Sequence, residues 1–130
     1  MLWKADPTFY PSPKLAGQAP AEKLAYVAAL NANGGTQPDA LVVVDLDEAS
    51  KKYGQIVGRV EMPNAGDELH HFGWNACSSA LCPYAPHPHV ERRYLIVPGL
   101  RSSRIHVLDT KPNPKKPKIV KVIEPQTLAD

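Results

Sequence analysis

The sequence predicts an all-β chain: a partial β-propeller of about two antiparallel blades, led by an irregular Pro-rich N-terminal arm. Three observations predict it. With 14 prolines and 8 glycines among 130 residues, turns interrupt the chain too often for long helices. Short β-branched runs recur, each stopped by Pro, Gly, Asn or Asp. The chain also repeats itself. Tyr26-Val27 matches Tyr94-Leu95, Val43-Val44-Asp45 matches Val107-Leu108-Asp109, and Val60-Glu61-Met62-Pro63 matches Val122-Ile123-Glu124-Pro125. Each copy reads strand, turn, strand ending in Asp, Lys-containing loop, and strand ending near Pro, which is the pattern of a propeller blade.

Taken in order, residues 1–20 carry Pro7, Pro11, Pro13 and Pro20 without periodicity and read as a surface arm. Residues 21–63 form the first blade unit. In it, 23–30 is ambiguous between a helical turn and a strand until Asn33-Gly34-Gly35 ends it. The run 41–46 (Leu-Val-Val-Val-Asp-Leu) is a strand, and 55–62 is another, stopped by Pro63-Asn64. Residues 64–91 are an inserted loop rich in His and Cys. Residues 92–125 are the second blade unit, with strands at 94–97, 104–109 and 118–123. The whole of 1–130 is read as the N-terminal fragment of one β-propeller domain. Two blades cannot close a ring, and alone they leave apolar faces and unpaired edges in water, which invites self-association.

Composition excludes several classes of function. A formal net charge of +2, divided between Arg92-Arg93 and the 111–121 stretch, does not make the concentrated basic face that nucleic acid requires. No apolar run approaches the ~20 residues of a membrane span. The start, Met-Leu-Trp-Lys-Ala-Asp-Pro, lacks the pattern of a signal peptide, so a cytoplasmic location is expected. The 2 cysteines, Cys77 and Cys82, are too few for a disulfide framework and too close together for a stabilising crosslink. If they matter, they matter chemically.

The chemistry is concentrated in the inserted loop. Asp67-Glu68-Leu69-His70-His71-Phe72-Gly73-Trp74-Asn75-Ala76-Cys77-Ser78-Ser79-Ala80-Leu81-Cys82, followed by His87-Pro88-His89, holds both cysteines and four of the five histidines. Imidazole and thiolate suit copper, zinc and iron. If the backbone is extended, His70 and His71 point to opposite sides, leaving one for a metal and the other as a supporting donor or acid/base. The plainer readings are a solvated His-His pair and packed thiols. His106 alternates with Ile105 and Val107 and is expected on the opposite sheet face from them. Phe72 and Trp74 read as an anchor for the loop, and the prolines of 111–121 as keeping a solvated loop extended.

Asp67 to Ser79 closely resembles the signature loop of the selenium-binding protein/methanethiol oxidase family. Arg93 to Thr110 (Arg-Tyr-Leu-Ile-Val-Pro-Gly-Leu-Arg-Ser-Ser-Arg-Ile-His-Val-Leu-Asp-Thr) is similar to the family segment that follows, and Pro38-Asp39, Val44-Asp45-Leu46-Asp47, Met62-Pro63 and 121–125 fit as well. The resemblance implies a seven-bladed propeller several times longer than this chain. It implies a copper-dependent methanethiol oxidase that turns methanethiol, oxygen and water into formaldehyde, hydrogen sulfide and hydrogen peroxide. It also implies His70 and His71 as metal ligands, His71 and Cys77 as catalytic residues, and Cys77 and Cys82 as selenium- or thiol-binding. Where the family often continues Cys-Ser-Ser-Cys, this chain reads Cys77-Ser78-Ser79-Ala80-Leu81-Cys82, which displaces the second thiol. No cysteine stands near Tyr53-Gly54, where the selenium-binding cysteine of animal members falls. Three readings stay open: a copper enzyme acting on a small thiol and oxygen, a module that binds copper, selenium or thiol without turnover, and an inactive truncated product.

Overall fold

The structure, a computed structural model, describes residues 14, 17–18, 20–31, 36–75 and 91–129. The arm assigned to 1–20 lies almost entirely outside the described residues. The fold below belongs to the compact unit Glu22–Gly73 with Tyr94–Asp130; Trp74 and residues 91–93 are assigned to a second unit.

The described residues form short antiparallel strands, as expected. They are β1 (Leu24–Ala29), β2 (Pro38–Asp45), β3 (Ile56–Ala65), β4 (Gly73–Trp74), β5 (Tyr94–Pro98), β6 (Ile105–Asp109) and β7 (Lys118–Ile123). They make a three-stranded sheet ordered β1-β2-β3 and a four-stranded sheet ordered β4-β5-β6-β7. The segment that was ambiguous between helix and strand is β1, because pairing with β2 along its whole length decides what local propensity does not. Central β2 has apolar residues at consecutive positions rather than alternating ones, so it needs cover on both faces. It receives that cover: Ala40, Leu41, Val42 and Val43 are all buried. In the second sheet, Leu95, Val97 and Leu108 form the equivalent core.

The internal repeat is structural. Asp45 closes β2 opposite Leu24, the first residue of β1, and Asp109 closes β6 opposite Tyr94, the first residue of β5. Each Asp then turns the chain the same way. Asp45 Oδ1 accepts the N–H of Asp47 at 2.9 Å, and Asp109 Oδ1 accepts that of Lys111 at 3.0 Å. A side chain that satisfies its own backbone two residues on is the mechanism by which Asp favours turns. A β-bulge also recurs at matching places, with the register shifting between Val43 and Val44 in one sheet and between Val107 and Leu108 in the other.

The register corrects two of the equivalences read from sequence. Leu24, not Tyr26, is the counterpart of Tyr94. Gly58 faces Val43 and Lys121 faces Val107, so Val60 corresponds to Ile123 rather than Val122. Likewise, 111–116 is not extended. Asn113 Oδ1 accepts the N–H of Lys115, and Asn113 O accepts that of Lys116, folding the loop into a turn. This turn reaches the other sheet, where Pro114 O accepts the Tyr26 hydroxyl at 2.9 Å and the Lys115 carbonyl lies directly against Gly58. No helix among the described residues is long and apolar enough to cross a membrane.

Candidate functional site

The turn at 66–71 enters from β3 and is gripped from two sides. On one side it runs along the β5–β6 hairpin. His70 N–H donates to Pro98 O at 2.9 Å, Leu100 N–H to Glu68 O at 2.9 Å, and Arg101 N–H to Asp67 O at 3.1 Å. The approach is close enough that a Cβ at Gly99 would stand 2.9 Å from the Asp67 carbonyl oxygen, which is why a residue without a side chain occupies that position. On the other side, Asp39 at the start of β2 accepts the Leu69 N–H on Oδ2 at 3.0 Å. Its Oδ1 accepts the Asn31 N–H at 2.8 Å.

Within this grip the backbone takes unusual conformations. Gly66, Glu68 and His71 have φ of 79°, 53° and 44°. The expectation that His70 and His71 point to opposite sides therefore fails. It assumed extended backbone, and His71 is in the left-handed region, which swings its ring back toward that of His70. The ring centroids are 3.9 Å apart at 66°, and the two Nδ1 atoms are in contact. Both residues are exposed. The Glu68 carboxylate is ion-paired with Arg101 at the foot of the pair.

Beneath the turn lies a buried ionic network that the sequence reading did not single out. Asp67 and His106 are both fully buried. Asp67 Oδ1 accepts from the Arg104 guanidinium at 3.0 Å, and Glu124 accepts from Arg104 Nε at 2.9 Å. The Glu124 carboxylate first, and Asp67 second, hold the Arg104 guanidinium above its ordinary pKa. His106 Nδ1 donates to Val97 O at 3.2 Å, and its Nε2 faces Asp67 Oδ2 at 3.4 Å, where neither atom completes a hydrogen bond. As alternation predicted, His106 faces away from Ile105 and Val107, and its face is the interior. Part of the signal was available: Arg104 and His106 stand at i and i+2 in the run 104–109 that reads as a strand, and alternation puts such residues on one face.

In the other unit, the Arg92 guanidinium lies 4.9 Å over the Trp74 ring, a cation–π contact. The Asn75 amide donates to Glu91 O and accepts from Arg93 N–H, both at 3.1 Å. Phe72 and Trp74 are half-buried. Cys77, Cys82, His87 and His89 lie outside the described residues. Of the expected site residues the structure thus places His70 and His71, and it brings those two together. Among the described residues no group of three or more His, Cys, Asp or Glu side chains could hold a metal ion.

A duplicated unit of antiparallel strands with matching bulges and Asp-capped turns, separated by a histidine-bearing insertion, defines the chain as a partial β-propeller built from successive blades. The sequence model of the family "56kDa selenium binding protein (SBP56)" matches residues 3–130, and the chain belongs to that family. Among its relatives, Selenium-binding protein 2 of Arabidopsis thaliana is 45% identical over 122 residues, which cover 93% of this chain and 24% of that protein. A methanethiol oxidase of Bos taurus is 42% identical over 120 residues, covering 92% of this chain and 25% of the relative. The crystal structure of a hypothetical selenium-binding protein from Sulfolobus tokodaii superimposes with a TM-score of 0.84 at 63% identity, covering 93% of this chain and 27% of that one. The chain therefore spans about a quarter of the length of the relatives it matches.

Proposed function

We propose that this chain contributes the His70–His71 pair to a copper centre that oxidises a small thiol, with methanethiol as substrate. One observation carries this reading: in a member of a family whose relatives include methanethiol oxidases, two adjacent imidazoles present their Nδ1 atoms side by side on an exposed turn. Imidazole nitrogen suits copper in kind. In number, two donors leave coordination positions to be filled from outside the described residues, for which Cys77 is the candidate on this chain. Copper, when bound, would supply affinity for soft sulfur and one-electron exchange. The protein's own part is positional. His70 and His71 hold the ion, while Asp39, Pro98 and the Glu68–Arg101 pair fix the turn that carries them. The overall reaction, methanethiol with oxygen and water to formaldehyde, hydrogen sulfide and hydrogen peroxide, balances without a further reductant.

The test is copper binding by the metal-loaded chain, wild type against His70→Ala and His71→Ala. Each substitution is expected to weaken binding at least tenfold by removing half of the donors the turn provides. Unchanged binding in both variants would overturn the reading. Hydrogen sulfide release by this chain alone is expected to be absent or very low, because a site with only part of its ligands does not fix geometry or select the metal.

A second reading, a module that binds copper, selenium or a thiol without turnover, is supported by relatives that are named selenium-binding proteins. Robust hydrogen sulfide release would exclude it. Self-association belongs to the same proposal. Among the described residues β1 pairs only with β2, and it exposes Val27. Size-exclusion chromatography is expected to show larger species as concentration rises.

A further inference from the structure

We infer that Asp39, on the far side of the seam between the two sheets, is the positioning residue that holds His70 and His71 on one side of the chain as a pair. The inference deepens the copper reading above and rests on it for its metal-binding consequence.

The argument begins with backbone geometry. Glu68 and His71 are both non-glycine residues with positive φ, at 53° and 44°, and they flank Leu69-His70. Each such residue is strained and persists only where its surroundings over-determine it. At Leu69-His70 the chain is held from both sheets: Asp39 Oδ2 takes the Leu69 N–H at 3.0 Å, and Pro98 O takes the His70 N–H at 2.9 Å. The Pro98 contact belongs to the hairpin along which the turn already runs. The Asp39 contact is the one that crosses from β2.

Asp39 is well built for this task. It is 4% exposed, and the Leu69 residue that it grips is 2% exposed, so the bond is not traded against water. Its second oxygen is fixed by the Asn31 N–H at 2.8 Å, which locks the carboxyl in orientation. Without Asp39, the Leu69 N–H would be buried and unpaired, and the turn could recover its loss by relaxing Glu68 and His71 toward extended backbone. In that backbone adjacent side chains point to opposite faces, and the two Nδ1 atoms could no longer touch one ion. Asp39 thus does not contact the metal; it decides whether the neighbouring imidazoles act together.

The experiment compares wild type, Asp39→Ala and Asp39→Asn with Asp45→Ala. Asp45 is also buried and accepts a backbone N–H, but in the β2–β3 turn, so its variant controls for general destabilisation. Two readouts are taken. In the metal-free chain, NMR reports the through-space contact between the His70 and His71 rings and the exchange protection of the Leu69 N–H. With copper(II), a titration followed by electron paramagnetic resonance reports affinity and the number of coupled nitrogens.

Asp39→Ala is expected to abolish the ring–ring contact and the Leu69 protection. It should also lower copper affinity 10- to 100-fold and reduce two coupled imidazole nitrogens to one. Asp39→Asn keeps the side chain's shape but places an amide N–H₂ where one acceptor was, so it is expected to show a smaller loss in the same readouts. It decides the matter if the alanine variant does not fold. Asp45→Ala should lower stability and leave the ring pair intact. The inference is overturned if both Asp39 variants keep the ring contact, or if Asp45→Ala loses it equally. If the metal-free readouts respond to Asp39 while wild type binds no copper at these histidines, positioning stands and the copper reading fails.

Discussion

Gly58→Ala is expected to be among the most destabilising single-methyl additions in this chain, costing about 3 kcal/mol or more and lowering the melting temperature by about 10 °C. Gly58 sits in β3 beside the bulge, and a Cβ there would stand 1.8 Å from the Lys115 carbonyl oxygen and 3.2 Å from a Val43 methyl. Neither obstacle moves cheaply. The carbonyl belongs to a turn fixed by the two Asn113 hydrogen bonds and by the Tyr26 hydroxyl at Pro114, and Val43 is fully buried. The methyl would have to push the second sheet's turn away from the first sheet. Gly66→Ala is the contrast: φ is 79° there but nothing lies within 4 Å, so only local strain of about 1 kcal/mol is expected. Thermal unfolding of the two variants side by side checks this, and equal losses would contradict it.

Asp67→Ala is expected to cost about 3 kcal/mol. The substitution leaves Arg104, three-quarters buried, with Glu124 as its one remaining carboxylate, and it strips His106 Nε2 of the group it faces. A buried ionic network is weak evidence of net stability, but removing one member strands the others in a medium that solvates them poorly. Asp67→Asn keeps an acceptor for Arg104 and turns an amide donor toward His106, and the expected loss is nearer 1 kcal/mol. Denaturant unfolding of the two variants gives the comparison. An alanine variant as stable as wild type would mean that water replaces the network readily. Because Asp67 also lies in the histidine turn, the same variant is expected to raise amide exchange at His70, whose N–H is held by Pro98 O on the adjoining hairpin.

The strands were legible in the sequence because β-branched runs such as Leu41-Val42-Val43-Val44 and Tyr94-Leu95-Ile96-Val97 are stopped by turn residues that have no alternative use. The repeat was legible too, since Asp45 and Asp109 mark the same turn in both copies. Register was not. The bulge stands at the same place in both copies, but the chain runs one residue longer from Val43 to its partner Gly58 than from Val107 to its partner Lys121, and nothing in the composition marks that difference, so matching Val60 with Val122 slipped the third strands by one. Of the candidate site, the location was legible from the concentration of His residues, but its geometry was not. Whether two adjacent rings diverge or converge depends on the φ of His71. That angle is set by Asp39, by Pro98 and by the hairpin beyond, all distant in sequence. Asp39 and Asp67 looked like turn residues beside Pro38 and Gly66. Nothing local distinguishes a carboxylate that caps its own loop from one that reaches across to another segment.

The one-residue difference between the β2–β3 and β6–β7 turns has a practical consequence for anyone exchanging parts between the two copies. A chimera joined at the look-alike prolines, Pro63 and Pro125, would carry every outward side chain of the transplanted strand inward and every inward one outward. Cutting instead so that Glu61 replaces Glu124, both of them solvent-facing, preserves the phase. The proper unit of recombination here is defined by hydrogen-bond phase, not by similarity of letters.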